Sequence, residues 1–241
     1  PFYDFNTSSV LVGKQDLKQC KIQNYDVRYE YYPGKGQLVS VSLFYKKFDS
    51  PIEPTTKSFR DRSYKNAMMA NSYGVEMEFR KSLSFINENE QSVWNKLSVF
   101  GNLAFIKSVV KFADQESVTN KERPMQGQSP YLINLGASYT DPKTGIGATI
   151  LYNRIGPRLS EVGLPQVYQD VYEYSRNVLD FQLSKRIKKF DLRISLGDML
   201  HDPYLFYQNE DNSGSYSKTK SRVITKTNLG SSLGLSCAYK F

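Results

Sequence analysis

Glu76 and Glu78 stand two residues apart in SYGVEMEFRKS, the spacing that places two carboxylates on one face of a β-strand. A pair like this could divide general-acid and general-base work. Yet Arg28, Glu30, Arg80, Asp180 and Arg193 hold equivalent positions in other alternating segments. That company reads as a shared wet wall of paired charges, and no catalytic residue is expected. The run QNEDNSG (208–214) carries oxygen donors suited to Ca²⁺ but lacks the full loop spacing and the distal glutamate. His201, the only histidine, lies beside Asp202 and Pro203 at the start of a long connection. Cys20 and Cys237 share no short spacing, so neither a zinc site nor a disulfide framework follows, and Cys237 reads as a small apolar residue. Gly34-Lys35-Gly36 and Gly145-Ile146-Gly147 are turn glycines without a following helix, which excludes a phosphate-binding loop. The expected inventory is therefore no metal, no cofactor and no enzymatic centre.

The charges must be positioned by strands. Tyr25, Val27, Tyr29 and Tyr31 alternate with Asn24, Asp26, Arg28 and Glu30, and after YYPGKGQ the set Val39, Val41, Leu43, Tyr45 opposes Ser40, Ser42 and Lys46. Tyr73, Val75, Met77 and Phe79 follow, then Leu97, Val99, Leu103 and Phe105. Tyr131, Ile133, Leu135 and Tyr139 precede the DPKTG turn, with Ile146, Ala148, Ile150 and Tyr152 after it. Leu179, Phe181 and Leu183, then Leu192, Ile194 and Leu196, lead to a tail in which Leu233, Leu235, Cys237, Tyr239 and Phe241 share one face to the last residue. The total is about nine strands and no amphipathic helix.

One-faced strands in such number need a large apolar cover, and no helix is available to supply it. Lipid can. The mean hydropathy of −0.52 and the absence of any long apolar run exclude a transmembrane helix but not a membrane barrel, whose strands need only alternation. Connections alternate too: PGKG, NENEQSVWNK, DPKTG and IKKF are shorter, whereas 49–71, 113–129, 157–175 and 206–226 are long and polar. Short inner turns and long outer loops are the habit of outer-membrane barrels. Tyr45, Tyr73, Phe105, Tyr131, Tyr139, Tyr152 and Tyr239 fit interfacial girdles, and Lys47, Lys81, Lys107, Arg154 and Lys185 can snorkel from the lipid face. The net charge of +8 is dispersed rather than clustered, which argues against nucleic acid and for lipid headgroups. Pro1 follows no signal segment, so the chain is expected to be a piece of a longer protein.

Three stretches then carry a resemblance: NYDVRYEYYPGKGQLVSVSLFYKKFDSPIE, ERPMQGQSPYLINLGASYTDPKTGIGATILYNRIG and LGLSCAYKF. They resemble the C-terminal barrel region of TonB-dependent outer-membrane receptors, most closely those of Bacteroidetes-type bacteria, over essentially all of residues 1–241. Gly13-Lys14-Gln15-Asp16-Leu17 departs from the family's usual GNPxL word. The resemblance implies an all-β, antiparallel up-and-down transmembrane barrel, here its last strands as an open curved sheet, with the plug domain absent. It implies energy-coupled import of a scarce nutrient (a metal chelate, cobalamin, glycan or peptide) across the bacterial outer membrane. Implied partners are outer-membrane lipid and lipopolysaccharide, the barrel-assembly machinery, a TonB-type energy transducer acting through the plug, the nutrient itself and a surface lipoprotein. Leu233, Leu235, Tyr239 and Phe241 resemble the C-terminal insertion signal.

Arg60, Arg62, Lys121, Arg123, Tyr168, Tyr172, Tyr204 and Tyr207 are the expected ligand contacts, because aromatic faces and cations in outer loops suit large polar solutes. Two other readings stay open: a passive porin or structural barrel, and a soluble β-sheet protein acting on carbohydrate. Upstream sequence and detergent dependence would separate them.

Overall fold

The structure is a computed structural model describing residues 1–4, 9–58, 61–87, 89, 91–211 and 213–241. In chain order the strands are β1 (Phe2–Asp4), β2 (Ser9–Val12), β3 (Lys21–Tyr31), β4 (Leu38–Asp49), β5 (Ile52–Thr56) and β6 (Asp61–Asn66). Next come β7 (Met69–Ser82), β8 (Leu97–Lys111), β9 (Glu122–Arg123), β10 (Tyr131–Asp141), β11 (Ile146–Ile155) and β12 (Arg158–Glu161). The last are β13 (Val171–Glu173), β14 (Arg176–Ile187), β15 (Phe190–Gly197), β16 (Tyr204–Gln208), β17 (Arg222–Thr227) and β18 (Ser232–Tyr239).

Nine of these make one wall, ordered β3-β4-β7-β8-β10-β11-β14-β15-β18 and antiparallel throughout, so each wall strand pairs with its neighbours along the chain. It is open: β3 and β18 each pair on one side only. Register explains the division of faces. Tyr29, Val41, Met77, Leu103 and Ile133 pair in one continuous row, and Ile150, Phe181, Leu196 and Leu233 do so in another. Directly paired residues lie on the same side of an antiparallel sheet, so the apolar set predicted from alternation forms one uninterrupted face. Most of its members are exposed: Leu235 retains 74% of its surface and Val27 71%. A face this broad and this bare needs hydrocarbon around it.

The opposite face carries all seven predicted wall charges. Arg28 binds Glu30 at 2.5 Å and Glu78 at 3.2 Å, and donates to Ser42. Farther along the wall Asn153 donates to Asn134 and Asn134 to Asn102, a carboxamide ladder across three strands. Asp180 accepts from the Asp198 backbone. Glu76, Arg80 and Arg193 have no ion-pair partner among the described residues.

Turn chemistry fixes the short-connection end. Gly145 closes the β10–β11 turn at φ +69°, and an added Cβ would stand 2.8 Å from the Arg186 carbonyl oxygen. Only glycine meets both demands without strain. Lys188, at φ +53°, opens the two-residue turn into β15.

The long segments differ from the plain loops that polarity suggests. They hold short strands: β5 and β6 join β1 and β2 in one four-stranded sheet, and β12, β13, β16 and β17 form another. The second sheet repeats the order of the strands it extends, β11-β14-β15-β18, so the wall continues upward past a joint. The joint at 198–203 contains Asp198 and His201, both at positive φ. The last long connection thus spans 198–231 rather than 206–226. One pairing breaks the antiparallel rule: β2 lies parallel to β6. Alternation could not reveal these strands, because they are only three to six residues long and do not divide into one apolar and one polar face.

Candidate ligand-capture surface

Antiparallel order puts all four long connections at one end of the wall, opposite the turns at 32–37, 83–96, 142–145 and 188–189. There they are tied into one roof. Glu53 in β5 forms an ion pair with Arg123 at 3.0 Å, and Lys65 in β6 meets Glu116 at 2.5 Å. Thr56 donates to the Val162 carbonyl at 2.6 Å, and Arg62 binds Glu161. Asn120 donates to the buried Asp170 at 2.7 Å, and Gln126 to the Ser160 carbonyl at 2.7 Å. Gln208 reaches the Gln169 carbonyl at 2.7 Å, which brings in the fourth connection.

Two small cores hold this roof. Ala67, Ala70, Val110 and Phe112 pack at its base, with Phe48, Val118 and Met125 against them. Leu159, Val162, Tyr172 and Tyr207 form the second, flanked by Leu205 and Tyr216. The rings of Tyr172 and Tyr207 stack at 6.0 Å, and Tyr207 donates to the Gly214 carbonyl. Burial pushes the Tyr172 phenol up to about 12, aided by nearby Asp170, and raises that of Tyr207 as well.

The eight residues expected to meet a ligand therefore divide. Arg123, Tyr172 and Tyr207 are buried and present almost no surface as placed. The Arg123 guanidinium lies over the Phe112 ring, donates to the Pro124 carbonyl and leaves Nη2 buried with no hydrogen-bond partner. Lys121 donates to the carbonyls of Ala113, Asp114 and Glu116, capping its own connection. Tyr204 lies 4.2 Å beneath the Arg176 guanidinium. Arg62 and Tyr168 are brought together with Glu161, and burial raises the Tyr168 phenol. Arg60 lies outside the described residues. Beside the Arg62–Glu161 pair is a cavity of about 400 Å³, also lined by Pro54, Thr56, Tyr64 and Gln126, whose Oε1 is buried without a partner. Sequence reasoning missed Glu53, Glu161 and Asp170. Their signal lies in pairing between distant connections, which spacing along the chain does not carry.

Along β18, the last strand of the wall, Leu233, Leu235 and Tyr239 stand exposed, and at its short-turn end Tyr239 contacts the rings of Phe190 at 5.1 Å and Phe241 at 5.3 Å.

The family described as TonB dependent receptor-like, beta-barrel, matches residues 1–197. No curated protein sequence matches. Among solved structures, the copper transporter OprC is similar over 100% of this chain and 35% of its own length, at 14% identity and TM-score 0.65. The ferric-catecholate import receptor Fiu of Escherichia coli K12 is similar over 93% of this chain and 28% of its own, at 14% identity and TM-score 0.63. The ferric yersiniabactin uptake receptor FyuA of Yersinia pestis follows at 92% and 30%, with 15% identity and TM-score 0.62. This chain thus spans about a third of the length of the proteins it resembles in fold.

Proposed function

The chain belongs to the TonB-dependent receptor β-barrel family, and from that premise we propose that the protein it is part of imports a scarce nutrient through the outer membrane at the expense of inner-membrane energy. The chain is a segment of an outer-membrane β-barrel; capture and transport are functions of the whole receptor, which has upstream strands and a plug. The observation that carries the reading is the tied roof over one end of a one-faced wall. A receptor gains affinity by holding a binding surface in shape before its ligand arrives, and four interlocked connections supply such a surface. Within that surface Arg62, Tyr168 and the adjoining cavity are the proposed contacts, with Tyr204 and Arg60 as further candidates. Arg123, Tyr172 and Tyr207 act beneath them as supports. The ligand is a metal chelate, cobalamin, glycan or peptide, and a TonB-type transducer acts through the plug.

The test is uptake by cells carrying the full-length receptor with Arg62→Ala, and with each long connection shortened in turn. Loss of binding and uptake while the barrel still inserts supports the reading. Unchanged uptake in every variant would move capture to the plug or to upstream strands.

A further inference from the structure

The lipid face ends, on the short-turn side, in a repeated pairing of lysine with an exposed ring. Lys185 belongs to that face through its pairing with Ile146 and Leu192, and its Nζ donates to the Thr144 carbonyl at 2.7 Å, level with the turn. One turn away the Lys189 Nζ sits 5.6 Å from the centroid of Tyr239, which pairs with Phe190 on the same face. Phe190 and Tyr239 each keep 47% of their surface exposed, and Phe241 is fully exposed. Farther round the wall, Lys81 lies on the lipid face through its pairing with Val99, and its Nζ is 5.4 Å from the exposed ring of Phe85.

Charge accounting separates these lysines from the rest of the rim. Asp141 is taken by Lys96 at 2.9 Å, and Asp191 by Arg186 and Lys240. Lys81, Lys185 and Lys189 have no carboxylate partner among the described residues. They are ammonium groups at the short-turn end of the apolar face, the level where hydrocarbon gives way to headgroups. Rings beside them suit the same zone, since an aromatic belt sits at the headgroup level.

We propose that this rim is a binding site for the phosphodiester headgroups of anionic phospholipid in the inner leaflet, with Lys185 and Lys189 forming one position and Lys81 another. An ammonium group serves phosphate as a point charge. The neighbouring rings keep acyl chains in contact while the phosphate is held. Binding of this kind fixes the height of the wall in the bilayer and orients the short turns toward the periplasm. It depends on the outer-membrane placement of the chain and not on what the receptor imports.

The experiment uses the full-length receptor in neutral detergent, with native mass spectrometry of bound phosphatidylglycerol against phosphatidylcholine. Lys185→Gln and Lys189→Gln should each lower phosphatidylglycerol retention about fivefold, leave phosphatidylcholine retention unchanged and be rescued by arginine. Lys218→Gln, in the roof, is the control and should change nothing. Folding is checked by the heat-dependent shift in gel mobility of the intact barrel. Should a variant fail to insert, wild-type receptor titrated with sodium chloride provides the second measurement, because headgroup binding by exposed lysines weakens as salt rises. Three results would overturn the proposal: equal retention of the two lipids by wild type, unchanged retention in both variants, or displacement of the lipid by inorganic phosphate at equal concentration.

Discussion

The Glu53–Arg123 pair is the most deeply covered ion pair among the described residues. Both side chains are almost fully covered, at 5% and 2% exposed. Removing one partner leaves the other charge buried and uncompensated, so Glu53→Ala should destabilise the roof by about 3–5 kcal/mol. The readout is protease nicking within 50–68 and 112–130 in a barrel that remains inserted. Burial raises the Glu53 carboxyl above its ordinary value of 4.5, and attraction from Arg123 only partly opposes this. The native state therefore holds that proton more tightly than the unfolded chain does. The contribution of this group is complete below about pH 4.5 and is lost as pH rises through the shifted value. Wild type should accordingly lose roof stability relative to Glu53→Gln as pH climbs from that point; parallel pH profiles of the two proteins would contradict the assignment.

Among the elements, β18 is the simplest to test, because Leu235 lies mid-strand opposite Ile194 and is among the most exposed apolar side chains. Leu235→Arg should cost about 2–4 kcal/mol if that position meets the middle of the bilayer. Denaturant unfolding of the receptor in lipid vesicles measures it, and a neutral result would place β18 elsewhere. The nine wall strands were legible in the sequence because each has one bare apolar face and one polar face, the arrangement that alternation encodes directly. The strands of the roof were not. β12 and β13 are covered on both sides, and Leu159 and Tyr172 are buried by connections far away in sequence. For the same reason Arg123 and Tyr207 read as exposed although they are buried: composition shows a cation or a ring in a polar stretch, but not the Glu53 or the Tyr172 packed against it. Arg62 and Tyr168 were singled out by residue type, while Glu161, which contacts both, was not.

At the scale of the whole molecule, the nine strands are a barrel wall with lipid on one face, and the proposed orientation puts the roof outside the cell and the short turns in the periplasm. Exposed apolar surface, continuous from β3 to β18, has no other cover among the described residues. The polar face, with its Arg28–Glu30–Glu78 cluster and the carboxamide ladder, lines the lumen in the same arrangement. Single cysteines report the orientation most directly, in full-length receptor whose Cys20 and Cys237 have been replaced. Intact cells are treated with a membrane-impermeant maleimide. Cysteine placed at Ser58 or Lys218, in the long connections, should label in intact cells. Cysteine placed at Lys35 or Lys143, in the short turns, should label only after the outer membrane is opened. Labelling of Lys35→Cys and Lys143→Cys in intact cells, with Ser58→Cys and Lys218→Cys protected, would contradict the account.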